Sequence, residues 1–259
     1  MVISNIQGGL GNQISQWAHG KSFSLRNNTD FFVNLDFYKS QSGNTYRDFG
    51  LKKFPFISLE IDGGIDKSNF LGITDNFFYQ EIKYNHLTNY NFSGYWHTEK
   101  YFSDFRDEIL AQLRPGDQQT ERISGIIPQG GISVSIHVRR TDYLKNPDFH
   151  PVQDVDYYSR ALEIIGKYDC LLIFSDDIKW CRENFNFARM IFVEGLDDID
   201  DLWLMSMCSH NIIANSTFSW WGAWLNQNEG KIVISPSRWL GPAAGINESD
   251  IIPDGWIKI

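Results

Sequence analysis

The second half of the chain alternates short apolar runs with helix-like segments in a regular order. Between residues 132 and 138, apolar side chains alternate with Ser133, Ser135 and His137, a pattern that predicts a strand with one polar face. Similar patterns predict further strands at 170–174, 190–193, 211–214 and 232–234, separated by helices at 156–167, 179–184, 201–209 and 219–225. Strands and helices that alternate at this spacing predict a parallel sheet with right-handed crossovers, and therefore a Rossmann-like unit.

The N-terminal end begins in the same way. Residues 2–6 predict a short strand, the glycine-rich segment 8–13 a turn, and the apolar spacing from Ile14 to Leu25 a helix. The glycine spacing is not that of a dinucleotide fingerprint, so close approach of the backbone to a ligand is the better interpretation. A second strand is predicted at 30–38.

A domain boundary is expected near the middle of the chain. Residues 40–125 mix aromatic and polar side chains without a clear period, and turn-forming residues then concentrate at 114–119 and 128–131. We therefore expect an N-terminal domain at 1–125 and a C-terminal domain at 126–259. The chain has 259 residues of which 42% are apolar, which is enough for two small α/β cores.

Composition excludes some classes of partner. The formal net charge is −9, so a nucleic acid would meet repulsion on average, and any anionic ligand needs a local basic cluster. An odd number of cysteines, three, favours a reducing compartment, and no segment has the length and hydropathy of a membrane span. The sequence thus predicts a cytoplasmic protein and leaves peripheral association with the inner face of the membrane open.

Polar residues follow the predicted strands of the C-terminal half, where ligands of parallel sheets collect. Arg139, Arg140 and Asp142 follow the first strand and Asp176 the second, whereas the fourth is followed by a polar run, Asn215, Ser216, Thr217 and Ser219. Guanidinium groups, hydroxyls and helix amides bind phosphate oxygens, and a carboxylate accepts hydrogen bonds from guanine. This set predicts a site for a guanine nucleoside diphosphate.

Several of these segments resemble the signatures of a known family. The sequences of residues 137–143, 174–177 and 215–225, together with the opening 8–13 and the closing 250–254, resemble those of the family 11 α-1,2-fucosyltransferases. Thr141 departs from this pattern, because members of the family usually carry glycine there.

The resemblance implies a fold, an activity and a set of ligands. The fold would be α/β of the GT-B type, with two Rossmann-like domains facing a cleft, the acceptor mainly on the first and GDP-fucose mainly on the second. The activity would be an inverting glycosyltransferase reaction that moves L-fucose to the 2-hydroxyl of a terminal galactoside. It implies neither a metal ion nor another cofactor.

The resemblance also assigns roles to individual residues. Arg139 would hold the β-phosphate, with Arg140 assisting it or forming a structural ion pair. His137 and Asp176 would seat the nucleotide. The phosphate oxygens would be bound by Ser216 and Thr217, beside Asn215 and Ser219, and Asn12 would close the cleft from the other domain.

Four alternatives stay open at this point. The base that accepts the acceptor proton is assigned to Asp142, although Asp142 could instead orient an arginine, and the rivals for the base are His150, Asp148 and His19. Two D-x-D patterns, 154–156 and 198–200, match metal-binding motifs but stand where helices should begin, so helix capping is the simpler interpretation. The linkage could be α-1,6 or peptide O-linked. A glycan-binding module without catalysis would not bind GDP and would leave the arginines and serines without a purpose, whereas a nucleotide-binding regulator would bind GDP without transferring fucose.

Overall fold

The computed structural model describes residues 1–41 and 46–259, and their contacts form two compact units. Unit 1 comprises Met1–Arg114 and Ile246–Pro253, and unit 2 comprises Pro115–Gly245 and Asp254–Ile259. The division thus lies after Arg114 and not at the expected 125/126 boundary, because the helix Asp117–Ser124 packs against the helix Asp198–Met207 within unit 2. Residues 42–45, part of the irregular stretch 40–125, lie outside the described residues.

Unit 1 is built on a parallel sheet of four strands. The strands are β1 Val2–Asn5, β2 Phe31–Asn34, β3 Leu71–Thr74 and β4 Tyr90–Ser93, in the order β2-β1-β4-β3. Its helices are α1 Leu10–Asn27, α2 Asp36–Lys39 and α3 Arg106–Leu113. The predicted strand at 30–38 is therefore wrong beyond Asn34, because the Asn34 side chain donates to Asp36 (2.9 Å) and the chain turns into α2.

Unit 2 carries a parallel sheet of six strands that confirms the Rossmann-like prediction. Its strands are β5 Ser133–Val138, β6 Cys170–Ser175, β7 Met190–Phe192, β8 His210–Ile212, β9 Val233–Ser235 and β10 Ile257–Lys258. The order is β10-β9-β8-β5-β6-β7. The helices are α4 Asp117–Ser124, α5 Val155–Ile165, α6 Ile178–Asn184, α7 Asp198–Met207 and α8 Thr217–Leu225.

Strand β5 lies at the centre of this sheet, between β6 and β8, and is buried on both faces. Its predicted polar face is consequently not a solvent face. Ser135 accepts a hydrogen bond from the Asn211 side chain at 2.7 Å, and Ser133 accepts one from the Ser209 N–H at 3.0 Å. Hydrogen bonding to the neighbouring segments makes burial of these polar groups tolerable.

The tryptophan-rich helix α8 belongs to the core of unit 2. Trp220, Trp221 and Trp224 expose 4%, 0% and 2% of their surface, so they pack in the core. Gly222 of the same helix faces Met205 of α7, where a Cβ would approach the Met205 Cβ to 2.9 Å. Glycine therefore allows α7 and α8 to pack closely.

Within the described ranges, no helix combines the length and hydropathy needed to cross a membrane.

Candidate functional site

The polar residues predicted from the strand ends meet at one edge of the unit 2 sheet. Because β8, β5 and β6 are adjacent and parallel, their carboxyl ends open on the same side. The Tyr143 hydroxyl, beyond β5, donates to the main-chain carbonyl of Asn215, beyond β8, at 3.0 Å. This bond ties the two loops together and fixes the start of α8 beside the end of β5.

Arg139 is held between two carboxylates at this edge. Its Nη2 donates to Asp142 Oδ2 at 2.7 Å, and its Nη1 lies 3.3 Å from Asp176 Oδ2. The side chain is 21% exposed, so it is mostly withdrawn from water and still accessible to a ligand. Burial acts to lower the pKa of Arg139, but the charges of Asp176 and Asp142 outweigh it and raise this pKa. The guanidinium is thus a permanently charged and oriented group.

Asp176 is engaged by the loop that follows β5. Its Oδ1 accepts from the Arg140 N–H at 2.9 Å, while its Oδ2 accepts from the Thr141 N–H at 3.2 Å and from the Thr141 hydroxyl at 2.5 Å. Both carboxylate oxygens therefore organise the arginine loop. This geometry favours a positioning role for Asp176 over direct recognition of guanine.

Arg140 is directed toward α6. Its Nε donates to Asp177 Oδ2 at 3.3 Å, and its guanidinium carbon lies 3.8 Å from the centre of the Trp180 ring. Asp177 also caps α6 by accepting from the Trp180 N–H at 3.2 Å. The contacts favour the ion-pair alternative for Arg140, in which it anchors the arginine loop.

His137 precedes the arginines and is 5% exposed. Burial lowers its pKa to about 3, with a smaller contribution from the charge of Arg139, so the imidazole stays neutral at physiological pH. Its Nδ1 has no hydrogen-bond partner, and its ring packs 5.7 Å from that of Phe218 on α8. His137 can therefore offer a neutral hydrogen-bonding group but not a cation.

The polar run at the start of α8 is buried except for Thr217, and its members differ in the hydrogen bonds that their side chains make. Asn215 is 2% exposed and its amide donates to the Trp239 carbonyl at 3.0 Å, while the Ser219 hydroxyl is fully buried and donates to the Ser216 carbonyl at 3.2 Å. Both are structural bonds. Ser216 is the N-cap residue without a capping bond from its side chain, and Thr217 is the first helical residue. These two hydroxyls and the first amides of α8 form the part of this run suited to an anion.

The charged groups of this cluster sum to a formal charge of −1. Two guanidinium groups, of Arg139 and Arg140, stand among three carboxylates, of Asp142, Asp176 and Asp177. An anionic ligand therefore gains little from net charge. It would depend on the directed donors of Arg139 and on the amides at the start of α8.

Asn12 is the predicted site residue that belongs to unit 1. It lies in the first turn of α1, and its Oδ1 is 3.2 Å from His97 Nε2. Gly8 has a left-handed backbone (φ +79°), and a Cβ there would lie 2.8 Å from Asn12 Nδ2. The glycine-rich opening thus makes room for the Asn12 side chain.

Metal-ligand geometry is not found in residues 1–41 and 46–259, where no group of three or more His, Cys, Asp or Glu side chains could hold an ion. The first D-x-D pattern has a capping role, as predicted, because Asp154 caps α5 by accepting from the Tyr157 N–H at 2.9 Å. In the second pattern, α7 is capped by the preceding Asp197, and Asp200 pairs with Arg122.

Sequence reasoning missed the residues that support the site. Tyr143 hydrogen-bonds to the loop after β8, the ring of Trp180 packs against the Arg140 guanidinium, and His97 contacts Asn12. The sequence offered Tyr143 only as the last residue of the segment 137–143. Trp180 stands three residues after Asp177, but any residue can occupy this position after a helix cap, so the spacing gives no sign of its contact with Arg140. His97 had no signal, since its partner lies 85 residues away.

Comparison with known proteins agrees with this architecture. The chain is 31% identical over 305 aligned positions to the "O-antigen biosynthesis glycosyltransferase WbnK" of Escherichia coli, covering all of both proteins. It is 30% identical to the "Alpha-1,2-colitosyltransferase" of Escherichia coli, covering 100% of this chain and 99% of that one. The crystal structure of the fucosyltransferase NodZ from Bradyrhizobium shares the fold with a TM-score of 0.54 at 13% identity, over 85% of this chain and 91% of NodZ.

The fold is therefore α/β of the GT-B type, with each of its two units built on a parallel sheet. The family model for glycosyl transferase family 11 matches residues 64–259, which is most of the chain and includes all of unit 2. The protein belongs to glycosyl transferase family 11 and is a glycosyltransferase.

Proposed function

We propose that the protein transfers L-fucose from GDP-fucose to the 2-hydroxyl of a terminal galactoside, with inversion and without a metal ion. Unit 2 would bind the donor and unit 1 the acceptor. The observation that carries the proposal is the oriented Arg139 guanidinium at the edge of a parallel sheet, beside the uncapped start of α8. NodZ, which shares the fold, has been crystallised with GDP.

The reaction needs a group that stabilises the leaving diphosphate. In an inverting transfer, the acceptor hydroxyl attacks C1 of the sugar from the face opposite the departing GDP. Arg139 would neutralise the charge that develops on the β-phosphate, and the Ser216 and Thr217 hydroxyls with the amides of α8 would bind the remaining oxygens. Because the carboxylates already fix the orientation of Arg139, little reorganisation is needed in the transition state.

The acceptor proton needs a base. We assign it to Asp142, in the loop that follows β5; its 2.7 Å ion pair with Arg139 is also the contact expected if Asp142 only orients that arginine, so the variant below must decide between the two roles. His19 is 1% exposed and stacked beneath aromatic rings, so it cannot reach an acceptor hydroxyl and is excluded as the base. His150 stacks 4.4 Å from the Tyr143 ring close to Asp142, and it is the rival that a pH–rate profile of Asp142→Asn would expose.

A second donor deserves a test because of one comparison. The relative at 30% identity is named for transfer of colitose, which is fucose without its 3-hydroxyl group. The same diphosphate site would serve GDP-colitose, so the sugar itself must decide between the two donors. Terminal galactosides of surface polysaccharides are the acceptors we propose in either case.

The function is tested by measuring GDP release in EDTA, from GDP-fucose and from GDP-colitose, with lactose, N-acetyllactosamine and galactosyl-N-acetylgalactosamine as acceptors. We expect acceptor-stimulated release from GDP-fucose and an α-1,2-linked product by NMR. Faster turnover with GDP-colitose would transfer the proposal to that donor, and an α-1,6 product would correct the linkage. Folded protein that does not bind GDP would contradict the whole proposal.

Replacement of Asp176 by asparagine should weaken the enzyme through the arginine loop. An amide offers one oxygen where the carboxylate offers two, so one main-chain N–H of the loop would face an NH2 group. A hydrogen bond to a charged group is worth about 1.5–3 kcal/mol, so kcat/KM should fall by roughly 10–100-fold.

The preference for guanine over hypoxanthine distinguishes the two possible roles of Asp176, positioning of the arginine loop and direct recognition of guanine. Inosine diphosphate lacks the 2-amino group of guanine. If Asp176 positions the loop, the ratio of GDP to IDP affinity stays unchanged in Asp176→Asn while both affinities fall; if Asp176 binds guanine, that ratio collapses. The control is Asp156→Asn, which alters an exposed ion pair with Arg160 on α5. This variant should leave kcat/KM, the GDP affinity and the IDP affinity unchanged.

A further inference from the structure

Three aromatic side chains of unit 1 converge at the carboxyl edge of its sheet. Phe77 follows β3, and Tyr95 and His97 follow the adjacent parallel strand β4. Ring centres are 5.9 Å apart for Phe77 and Tyr95, 6.4 Å for Phe77 and His97, and 5.5 Å for Tyr95 and His97, the last pair being nearly parallel. All three side chains are partly exposed. We call them the aromatic corner.

One buried carboxylate holds the two loops that form this corner. Asp75 is 7% exposed, and it accepts from the Phe77 N–H at 3.0 Å, the Trp96 N–H at 2.9 Å and the Tyr95 N–H at 3.3 Å. Phe77 and Trp96 have left-handed backbones, with φ of +66° and +57°. Bulky residues rarely adopt this conformation, and such strain clusters at functional sites. The loops are thus held in shape against a conformational cost.

Beneath the corner lies a rigid support. The Trp96 indole is 2% exposed and stacks on the His19 imidazole of α1 at 3.8 Å, with the ring planes 8° apart. Phe92 and Tyr101 close around the same imidazole at 4.5 and 4.8 Å. The corner is therefore mounted on a packed core and has a fixed geometry.

A polar pair stands next to the apolar rings. Burial lowers the pKa of His97 to about 3, so its ring is neutral at physiological pH. Since the Asn12 carbonyl oxygen can only accept, His97 Nε2 carries the hydrogen of their 3.2 Å bond. Ring faces and amide groups thus lie side by side, which matches a pyranose, whose C–H face is apolar and whose rim carries hydroxyls.

We propose that the aromatic corner binds the terminal pyranose of the acceptor, a subsite that rests on the proposed function. The face of a galactoside formed by H3, H4 and H5 stacks on Tyr95 and against Phe77. The neutral His97 ring, whose Nε2 is bonded to Asn12, accepts a hydrogen bond from a sugar hydroxyl at Nδ1. The corner is a specificity element of unit 1 and takes no part in donor binding.

The test compares Tyr95→Leu and Tyr95→Phe with the control Phe56→Leu, using lactose and GDP-fucose. Phe56 is a 42% exposed aromatic of unit 1 whose ring lies under Arg114 and is not one of the three rings of the aromatic corner. Loss of the Tyr95 ring should raise the lactose KM about 3–10-fold, the worth of one aromatic contact, without changing the KM for GDP-fucose. Tyr95→Phe keeps the ring and should change the lactose KM by less than about twofold, and Phe56→Leu should change neither constant.

Saturation-transfer NMR of lactose on the GDP-bound protein gives a readout independent of turnover. Galactose H3, H4 and H5 should receive the strongest transfer in the parent protein and lose it in Tyr95→Leu. Unchanged lactose KM and unchanged transfer in that variant would overturn the subsite. If GDP binding and acceptor-independent GDP release persist at the same time, the proposed function survives and only the subsite fails; loss of GDP binding by the folded parent protein removes both.

Discussion

Replacing Arg139 by alanine should lower turnover of GDP-fucose by about 10²–10³-fold, the usual effect of removing one preorganised charge partner from a transition state. The reason lies in its environment: Asp142 and Asp176 orient Arg139, and because the cluster has a formal charge of −1, an anionic ligand depends on the directed donors of this arginine. Arg139→Lys should recover only part of the loss, because an ammonium cannot make the paired hydrogen bonds of a guanidinium. Steady-state kinetics and a GDP titration measure both effects.

Arg182→Ala is the matched control for this prediction. Arg182 is also an arginine of unit 2 that pairs with a carboxylate, Glu194, and covers an aromatic ring, Phe192, but it is about half exposed on α6. Its removal should change turnover by less than twofold. Arg139→Ala with more than a tenth of the parent rate and unaltered circular dichroism would show that another group stabilises the diphosphate.

The architecture of unit 2 could be predicted because each of its signals is local. Alternation over 132–138 and the helical spacings that follow require no partner from elsewhere in the chain, and the elements lie within a few residues of their predicted bounds. The irregular stretch 40–125 gave no such signal. Strand β4 has only four residues, and the loops around it depend on Asp75, which contacts Tyr95 and Trp96 from 20 and 21 residues away.

The site shows the same contrast between placement and role. The position of Arg139 at a strand end follows from topology, and sequence reasoning predicts it. The partners of its neighbours do not follow from topology. Asp176 turns both oxygens toward the arginine loop, where main-chain N–H groups donate to them, and Arg140 turns toward the ring face of Trp180. A motif thus predicts which residues gather, whereas hydrogen bonding decides what each one does.

Helix α8 connects this site to the core, since its first residues carry the proposed phosphate ligands and its remainder is the tryptophan cluster. Trp221 lies 5.1 Å from Trp220 and 5.0 Å from Trp224, both nearly perpendicular to it. The position of the helix is held by burial of these rings in the core and by close packing on α7 at Gly222. Any loosening of the cluster would displace the Ser216 and Thr217 hydroxyls and the amides of the first turn.

Trp221→Ala should accordingly reduce the free energy of unfolding of unit 2 by about 3–5 kcal/mol, the cost of truncating a fully buried aromatic side chain. Urea unfolding followed by far-UV circular dichroism measures the loss, and a GDP titration below the transition should show weakened binding as well. Trp256→Ala is the control, because Trp256 is partly exposed and its ring centre lies 5.5 Å from that of Trp220 at the edge of the cluster. Equal unfolding midpoints for the two variants would mean that the cluster does not set the position of α8.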